Sequence, residues 1–309
     1  MTVVAIGNFD GVHLGHQAVV DCASELAKHS KAPSAALTFD PHPSVALGRG
    51  KPPMLTTNER RARLLAGHVD RVHVEPFTMA FSEWSPEQFV HELLIERLGA
   101  TGVVVGHDFR FGKGRAGDGA MLRALGEGTF TCTIVSQQQA GGAAVSSSRV
   151  RQHVVAGELA RAESLLGRPH ALTGVVLHGA ERGRTIGFPT ANLGTPPEVL
   201  PPFGVYAAWV SEVLADRTTK HVAGAVLNLG VRPTVGLDPL PTLEVHLLDF
   251  SADLYDRELV VHLVAYLREE RRFSGLSELK AQLEIDASAG RGALRGVVPP
   301  APEGVRLRS

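Results

Sequence analysis

The chain has 309 residues, enough for two domains, with 44% hydrophobic content and a nearly even balance of 31 Lys+Arg against 32 Asp+Glu. That balance argues against a nucleic-acid-binding protein, whose phosphate contacts call for a basic excess. No apolar window approaches the ~18 residues of a membrane span. The amino terminus carries neither the basic region nor the apolar stretch of an export signal. Cys22 and Cys132 lie far apart and form no CxxC, which reads as two free thiols in a reducing cytoplasm.

In chain order, the first half alternates predicted strands at 3–6, 35–39, 71–74, 102–105 and 130–135 with predicted helices at 14–29, 58–66, 86–98 and 118–126. The third helix has a start signal: Ser85 can cap, Pro86 suits the first turn, and Gln88 completes a capping box. Alternation of this kind predicts a doubly wound α/β domain on a parallel sheet, over 1–167. Residues 149–166 read as one connecting helix, and the boundary falls near Gly167-Arg168-Pro169. Beyond it the rhythm changes. Strands at 172–177, 205–213, 222–227, 243–248 and 259–266 are separated by Gly/Pro-rich loops, which predicts an antiparallel β-barrel or sandwich over 168–290. A helix at 276–286 follows, and from Gly290 the segment GRGALRGVVPPAPEG reads as a flexible tail over 291–309. No internal repeat relates the halves.

Chemistry concentrates in two places. The first predicted strand runs into Gly7, Asn8, Phe9, Asp10 and Gly11 and then a helix, which puts backbone N–H groups at the carboxyl edge of a parallel sheet, where phosphates bind. His13 and His16, three apart on the first helical turn, can face one side and stabilise charge developing on an α-phosphate and a departing pyrophosphate. Gly15 between them lets a polyphosphate approach the backbone. The competing reading, a surface turn or half of a zinc site, lacks further His or Cys at ligand spacing. No Walker A motif is present: Gly112-Lys113 is followed by Gly114. Ser146, Ser147 and Ser148 can donate hydroxyls to phosphates while Arg151 neutralises their charge. Taken alone, a Ser-rich loop with a solvated Arg would be the plainer reading.

In this company the motifs form a set. GNFDGVHLGHQ resembles the signature of the adenylyltransferase domain of bacterial bifunctional riboflavin kinase/FAD synthetases, Rossmann-like members of the HxGH nucleotidyltransferases. Thr38-Phe39-Asp40-Pro41-His42-Pro43 is similar to that family's second block. Gly106-His107-Asp108-Phe109-Arg110-Phe111-Gly112 resembles its flavin-side loop, and 145–151 resembles its Ser/Thr-x-x-Arg element, which closes over the triphosphate. The resemblance thus implies flavin contacts at Asp108, Phe109, Arg110 and Phe111.

The second place lies in the other half. Glycines at 174, 179, 183 and 187 would fold a tight phosphate loop, of which Gly179, Gly183 and Gly187 are the phosphate-binding candidates. Thr190 and Asn192 offer hard oxygen donors suited to Mg²⁺, with Thr190 also placed at ATP. As a bare tetrapeptide, PTAN would be only a turn. Its surroundings resemble the riboflavin kinase fingerprint: GFPTAN at 187–192, Asn228-Leu-Gly230-Val-Arg232-Pro233-Thr234, and Glu244-Val-His246-Leu-Leu-Asp249-Phe250. Leu243, Val245 and Leu247 share one face of their strand, which leaves Glu244 and His246 on the other. The resemblance assigns Glu244 the role of general base. It also places Arg268 and Phe273 in the segment covering the flavin site.

As a whole, the resemblance implies an enzyme that phosphorylates riboflavin to FMN and adenylylates FMN to FAD, with ATP as co-substrate, Mg²⁺ as cofactor, and no nucleic-acid or membrane partner; self-association stays open. Departures from the family pattern are a first strand that starts almost at Met1, His107 in the flavin-side loop, Asp256 in place of Gly, and a tail without the usual basic ending. Three alternatives remain at this stage: a kinase whose adenylyltransferase half is idle, a flavin sensor on a dead enzyme, and a nucleotidyltransferase for another phosphate. His13, His16, Ser147, Arg151, Thr190, Asn192 and Glu244 argue against the first two, and the kinase half against the third.

Overall fold

A computed structural model describes residues 1–48, 50, 52–178, 188–232 and 240–304. Two compact units emerge. The first comprises Met1–Met54, Asn58–Ser147 and a segment beginning at Glu303; the second comprises Leu55–Thr57 and Ser148–Pro302.

The first unit is a five-stranded sheet of β1 (Thr2–Ile6), β2 (Ser34–Asp40), β3 (Arg71–Pro76), β4 (Ala100–Gly106) and β5 (Thr131–Val135), ordered β3-β2-β1-β4-β5 with every pairing parallel. Residues of β1 are buried without exception. Val4 and Ile6 pack with Phe89, Leu93 and Leu122, while Val3 and Ala5 pack with Val19, Val20 and Ala23 on the opposite face. Both faces are covered by helices, so the strands read as continuous apolar runs. The helices are α1 (Leu14–Ser30), α2 (Asn58–Ala66), α3 (Pro86–Gln88 continuing with wider winding through Phe89–Arg97) and α4 (Gly119–Leu125). The capping box forms as predicted: Gln88 N donates to Ser85 Oγ at 3.2 Å and Ser85 N to Gln88 Oε1 at 3.1 Å.

The second unit carries α5 (Ser147–Val155) and α6 (Leu159–Leu166), then a six-stranded antiparallel sheet. Its strands are β6 (Ala171–Val175), β7 (Ala191–Asn192), β8 (Gly204–Val213), β9 (Thr219–Arg232), β10 (Leu240–Leu247) and β11 (Glu258–Arg268), in the order β6-β11-β8-β9-β10-β7. Leu172, Ala191, Tyr206, Leu227, Val245 and Val261, one from each strand, meet in a single core, so the sheet curls into a half-barrel. Helix α7 (Leu276–Leu294) covers the outside, with Ala287 and Leu294 packed among Val205, Ala207 and Val226.

Three expectations change. The single helix over 149–166 is two helices, because Gly157 takes φ 75° and breaks the winding between α5 and α6. The last helix reaches Leu294 rather than 286: Gly290 is a contact glycine whose added Cβ would meet Val226 Cγ2 at 2.4 Å, so it lets α7 approach β9. The segment beyond is not wholly loose either. Glu303 is 6% exposed, and its Oε1 accepts from Arg60 Nε at 2.8 Å while Oε2 lies 3.6 Å from Arg63 Nε. Several short elements went unread, among them the hairpins joining Arg110–Phe111 to Gly117–Asp118 and Gln139–Ala140 to Ala143–Ala144, the short helices Pro43–Ala46 and Met79–Ser82, and the strand β7.

Candidate active sites

In the first unit the chain order of the strands reverses between β1 and β4, since β1 leads outward to β2 and β3 while β4 leads to β5. The crevice beyond the carboxyl ends of strands at such a switch point is where this class of sheet binds ligands. Residues 7–13 leave β1 there, and residues 107–112 leave β4.

Loop 7–13 is tightly folded. Phe9, Gly11 and Val12 have φ of 51°, 84° and 40°, and Phe9 and Val12 are each only 1% exposed. Burying those two side chains offsets the unfavourable left-handed backbone. A Cβ on Gly7 would stand 2.9 Å from the Phe9 ring, which explains the glycine. Neighbouring elements hold the loop from outside: Thr38 Oγ1 donates to Asn8 O at 3.2 Å, Ser147 Oγ to Asp10 O at 2.8 Å, and Gln17 Nε2 to Val12 O at 2.9 Å.

His13 is 5% exposed and caps α1, its Nδ1 accepting from His16 N at 3.2 Å. With Nδ1 an acceptor, the proton of the neutral ring sits on Nε2. The His13 and His16 rings stack with centroids 3.6 Å apart, and Phe9 lies edge-on to His16 at 5.4 Å. Gly15 has a role the sequence did not reveal. Its missing Cβ leaves room for the His13 ring, which would lie 3.2 Å away. Ser146 and Ser147 are half-buried and Ser148 exposed; Ser147 opens α5, and Arg151 follows one turn later, half-buried.

Beyond β4, Asp108 and Arg110 are exposed, Phe109 is half-buried and Phe111 buried. The two phenyl rings lie nearly parallel at 5.6 Å, and Arg110 Nη1 donates to Phe109 O at 3.0 Å. They continue into an aromatic group the sequence reading passed over: Phe111 meets Phe89, Phe89 meets Phe81, and Phe81 meets Trp84 at 4.9 Å. The spacing 77, 81, 84 before the capping box was the available signal. Gly112 seats against Pro86, and Lys113 N donates to Trp84 O at 2.7 Å, which joins the two aromatic segments.

In the second unit, Glu244 on β10 pairs in register with Asn192 on one side and Asn228 on the other. Thr190, Asn228, Glu244, His246, Arg268, Glu270 and Phe273 line one pocket, whose apolar wall includes Leu279 and Leu283 of α7. His246 Nδ1 lies 2.9 Å from Pro189 O, which fixes the PTAN segment to β10. Asn228 Nδ2 donates to Glu270 Oε1 at 3.0 Å; a Cβ on Gly230 would collide with that carboxylate at 2.0 Å. Arg268 is bidentate to the buried Asp286, at 2.9 and 2.6 Å, and so ties β11 to α7. Arg271 stacks over Phe273 at 4.9 Å. Gly179, Gly183, Gly187, Pro233 and Thr234 lie outside the described residues.

A divalent ion bound with ATP would find a hydroxyl and an amide oxygen at Thr190 and Asn192 beside the Glu244 carboxylate. That donor set suits a hard cation which keeps water and phosphate as its other ligands. Among the described residues no cluster of three or more His, Cys, Asp or Glu forms a metal cage, and no helix is long and apolar enough to cross a membrane.

Comparison with known proteins falls on the same two regions. The family model described as FAD synthetase matches residues 1–149, and that described as riboflavin kinase matches 166–294. A bifunctional riboflavin kinase/FMN adenylyltransferase of Escherichia coli K12 is 42% identical over 292 residues, covering 94% of this chain and 91% of its own. The Listeria monocytogenes protein of the same description is 40% identical over 288 residues (92% and 90%), and that of Bacillus subtilis 36% over 291 (92% and 90%). A crystal structure described as a macrolide-efflux protein from Streptococcus pneumoniae superposes with TM-score 0.77 at 28% identity, covering 94% of each chain.

Proposed function

This chain belongs to the bifunctional riboflavin kinase/FMN adenylyltransferase family, and from that premise we propose how its residues divide the two reactions. The second unit moves the γ-phosphoryl of ATP onto the terminal hydroxyl of riboflavin. The first moves an adenylyl group from another ATP onto the FMN phosphate and releases pyrophosphate. We assign residues 1–167, which take in α5 and α6 as well as most of the first unit, to adenylyl transfer and 168–290 to phosphoryl transfer, and infer a cytoplasmic setting from the two free thiols and the use of ATP.

For adenylyl transfer, loop 7–11 and the start of α1 receive the triphosphate on backbone N–H groups. An oxygen of the FMN phosphate attacks the α-phosphorus, and the bond to pyrophosphate breaks. His13, through Nε2–H, and His16 stabilise the charge that develops. Ser146, Ser147, Ser148 and Arg151 hold the remaining phosphates. The isoalloxazine ring packs on Phe109, which the buried Phe111 backs, with Asp108 and Arg110 at its rim.

For phosphoryl transfer, Glu244 accepts the hydroxyl proton as the oxygen bonds to the γ-phosphorus and the β–γ bridge breaks, leaving ADP. Thr190 and Asn192 would hold Mg²⁺, which when bound would supply charge neutralisation for the transferring phosphate. Arg268 and Phe273 bound the flavin pocket, Arg268 through its grip on Asp286.

The observation that carries this reading is the placing of the stacked histidines and the flavin-side loop on either side of the β1/β4 switch point. The test is incubation with riboflavin, ATP and Mg²⁺ and separation of flavins over time. FMN should appear first and FAD after it; a His13→Ala/His16→Ala variant should accumulate FMN and stop there. Equal loss of FMN in a folded variant would break the two-site assignment.

A further inference from the structure

Asn228 and Gly230 have no task in either reaction, yet both meet the same side chain. Two apart on β9, they share one face of the strand. Asn228 Nδ2 donates to Glu270 Oε1 at 3.0 Å. Gly230 is buried, and a Cβ there would stand 2.0 Å from Glu270 Oε1 and 2.9 Å from Oε2, so the carboxylate lies against the strand backbone. The chain just before Glu270 is held as well. Arg268, bidentate to Asp286, donates from Nη1 to Glu269 O at 2.7 Å. Glycine inside a strand weakens it and often marks the close approach of another group. Here that group is a carboxylate.

A brace for segment 269–273 would not call for a charge, since an amide or an apolar contact would fasten it too. A carboxylate accepts at about four lone-pair sites, and the bond from Asn228 uses one of them. The rest of that capacity suits hydroxyl donors. Leu279 and Leu283 of α7 give the pocket an apolar side that fits a flat ring, while Glu244, Asn228 and Glu270 give it a polar one. Glu244 and Asn228 face each other across β10 and β9, where side chains stand ~4.5–5.5 Å apart at Cβ. Glu270 is bonded to Asn228, so the polar groups run Glu244, Asn228, Glu270. Riboflavin has the matching layout: a ring, a terminal hydroxyl for Glu244, and secondary hydroxyls on the ribityl chain between them.

We propose that Glu270, held in place by Asn228 and Gly230, accepts a hydrogen bond from a secondary hydroxyl of the ribityl chain and so determines the kinase's specificity for flavins with a polyhydroxylated side chain. This rests on the second unit's being the riboflavin kinase. Glu244 takes the proton of the reacting hydroxyl, and Glu270 reads the part of the chain that does not react. A flavin without the secondary hydroxyls leaves that carboxylate unmatched in the bound state, and a site built to bond a hydroxyl rejects a substrate that lacks it.

The experiment uses the full chain and two flavins, riboflavin and an analogue whose ribityl group is replaced by an ω-hydroxypentyl chain. Both present a terminal hydroxyl to Glu244, and only riboflavin has the secondary ones. The readout is the ratio of kcat/KM for phosphorylation of the two, which cancels any general loosening of segment 269–273. The parent protein should prefer riboflavin. Glu270→Ala should lower that preference by about 10- to 100-fold, the worth of a hydrogen bond to a charged group. Glu270→Gln can still accept the Asn228 bond and keeps the tie without the charge; its preference should fall by about three- to tenfold. Gly230→Ala puts a methyl group where the carboxylate lies, and should lower the preference by about tenfold or more even if the Glu270 variants do not fold. FAD formation from supplied FMN should be unchanged in all three. An equal fall for both flavins, with the ratio kept, would make Glu270 a brace for its segment and overturn the proposal. A parent protein that phosphorylates both flavins equally well would overturn it too, with no variant needed. Absence of phosphorylation of either flavin by the parent would instead overturn the reading of the second unit.

Discussion

Gly15→Ala isolates the geometry of the histidine pair with a single methyl group. An ideal Cβ at position 15 stands 3.2 Å from both Cε1 and Nδ1 of His13. That is closer than ordinary van der Waals contact, so the ring must yield by a few tenths of an ångström. The displacement passes through two further contacts, the 3.2 Å bond from His16 N and the 3.6 Å stack on His16. Stability should change little: Ala gains up to about 1 kcal/mol over Gly in a helix, and weakening the cap returns about as much. Catalysis is more sensitive. If a misplacement of 1 Å costs about 100-fold, a few tenths should cost FAD synthesis about three- to tenfold. Initial rates of FAD formation from FMN, measured beside riboflavin phosphorylation and thermal unfolding of the same preparation, separate the two effects. Unchanged FAD synthesis, or a parallel fall in both activities, would refute the argument.

Glu244→Gln preserves shape and loses the proton acceptor, so kinase kcat per folded molecule should drop by ~10²–10⁴ with KM much less affected and FAD synthesis from FMN intact. Near-normal turnover would remove Glu244 from the mechanism. Glu303→Ala leaves Arg60 and Arg63 buried without their carboxylate and should destabilise the first unit by roughly 3–5 kcal/mol, read by urea unfolding at Trp84 in a Trp209→Phe background. An unchanged midpoint would contradict the buried pairing. Burial raises the thiol pKa of Cys22 and Cys132, Cys22 with help from the charge of Glu25, so iodoacetamide at neutral pH should label both slowly until the protein unfolds.

Local chemistry was legible in the sequence wherever it repeated along the chain. Alternating apolar runs and helical patterns predicted all five strands of the first sheet, and Ser85, Pro86 and Gln88 foretold a helix start that the structure reproduces. The face shared by Glu244 and His246 followed from a period of two, and the register now adds Asn192 and Asn228 as neighbours, which no pattern within one strand could supply. Glycines carried more than their pattern told. Gly290 resembled the start of a loose tail but is a packing contact, and the missing Cβ of Gly15 makes space for the His13 ring. Long-range pairs were invisible for a plain reason: nothing near Arg60 or Arg61 in the chain announces that Glu303 and the carbonyl of Phe39 will receive them in the interior.

The pairing of Arg60 with Glu303 has a consequence during synthesis on the ribosome. The two residues are 243 positions apart, and translation delivers them in that order. At ~5–20 residues per second, the guanidinium waits on the order of 12–50 s for its carboxylate. Through that interval the nascent first unit has its sheet and loop 7–13, while the carboxylate that receives Arg60 is still to be made. The half-barrel emerges in the meantime with every one of its own strands complete. The order of maturation therefore runs against the order of the chain: the portion made first is the last to close.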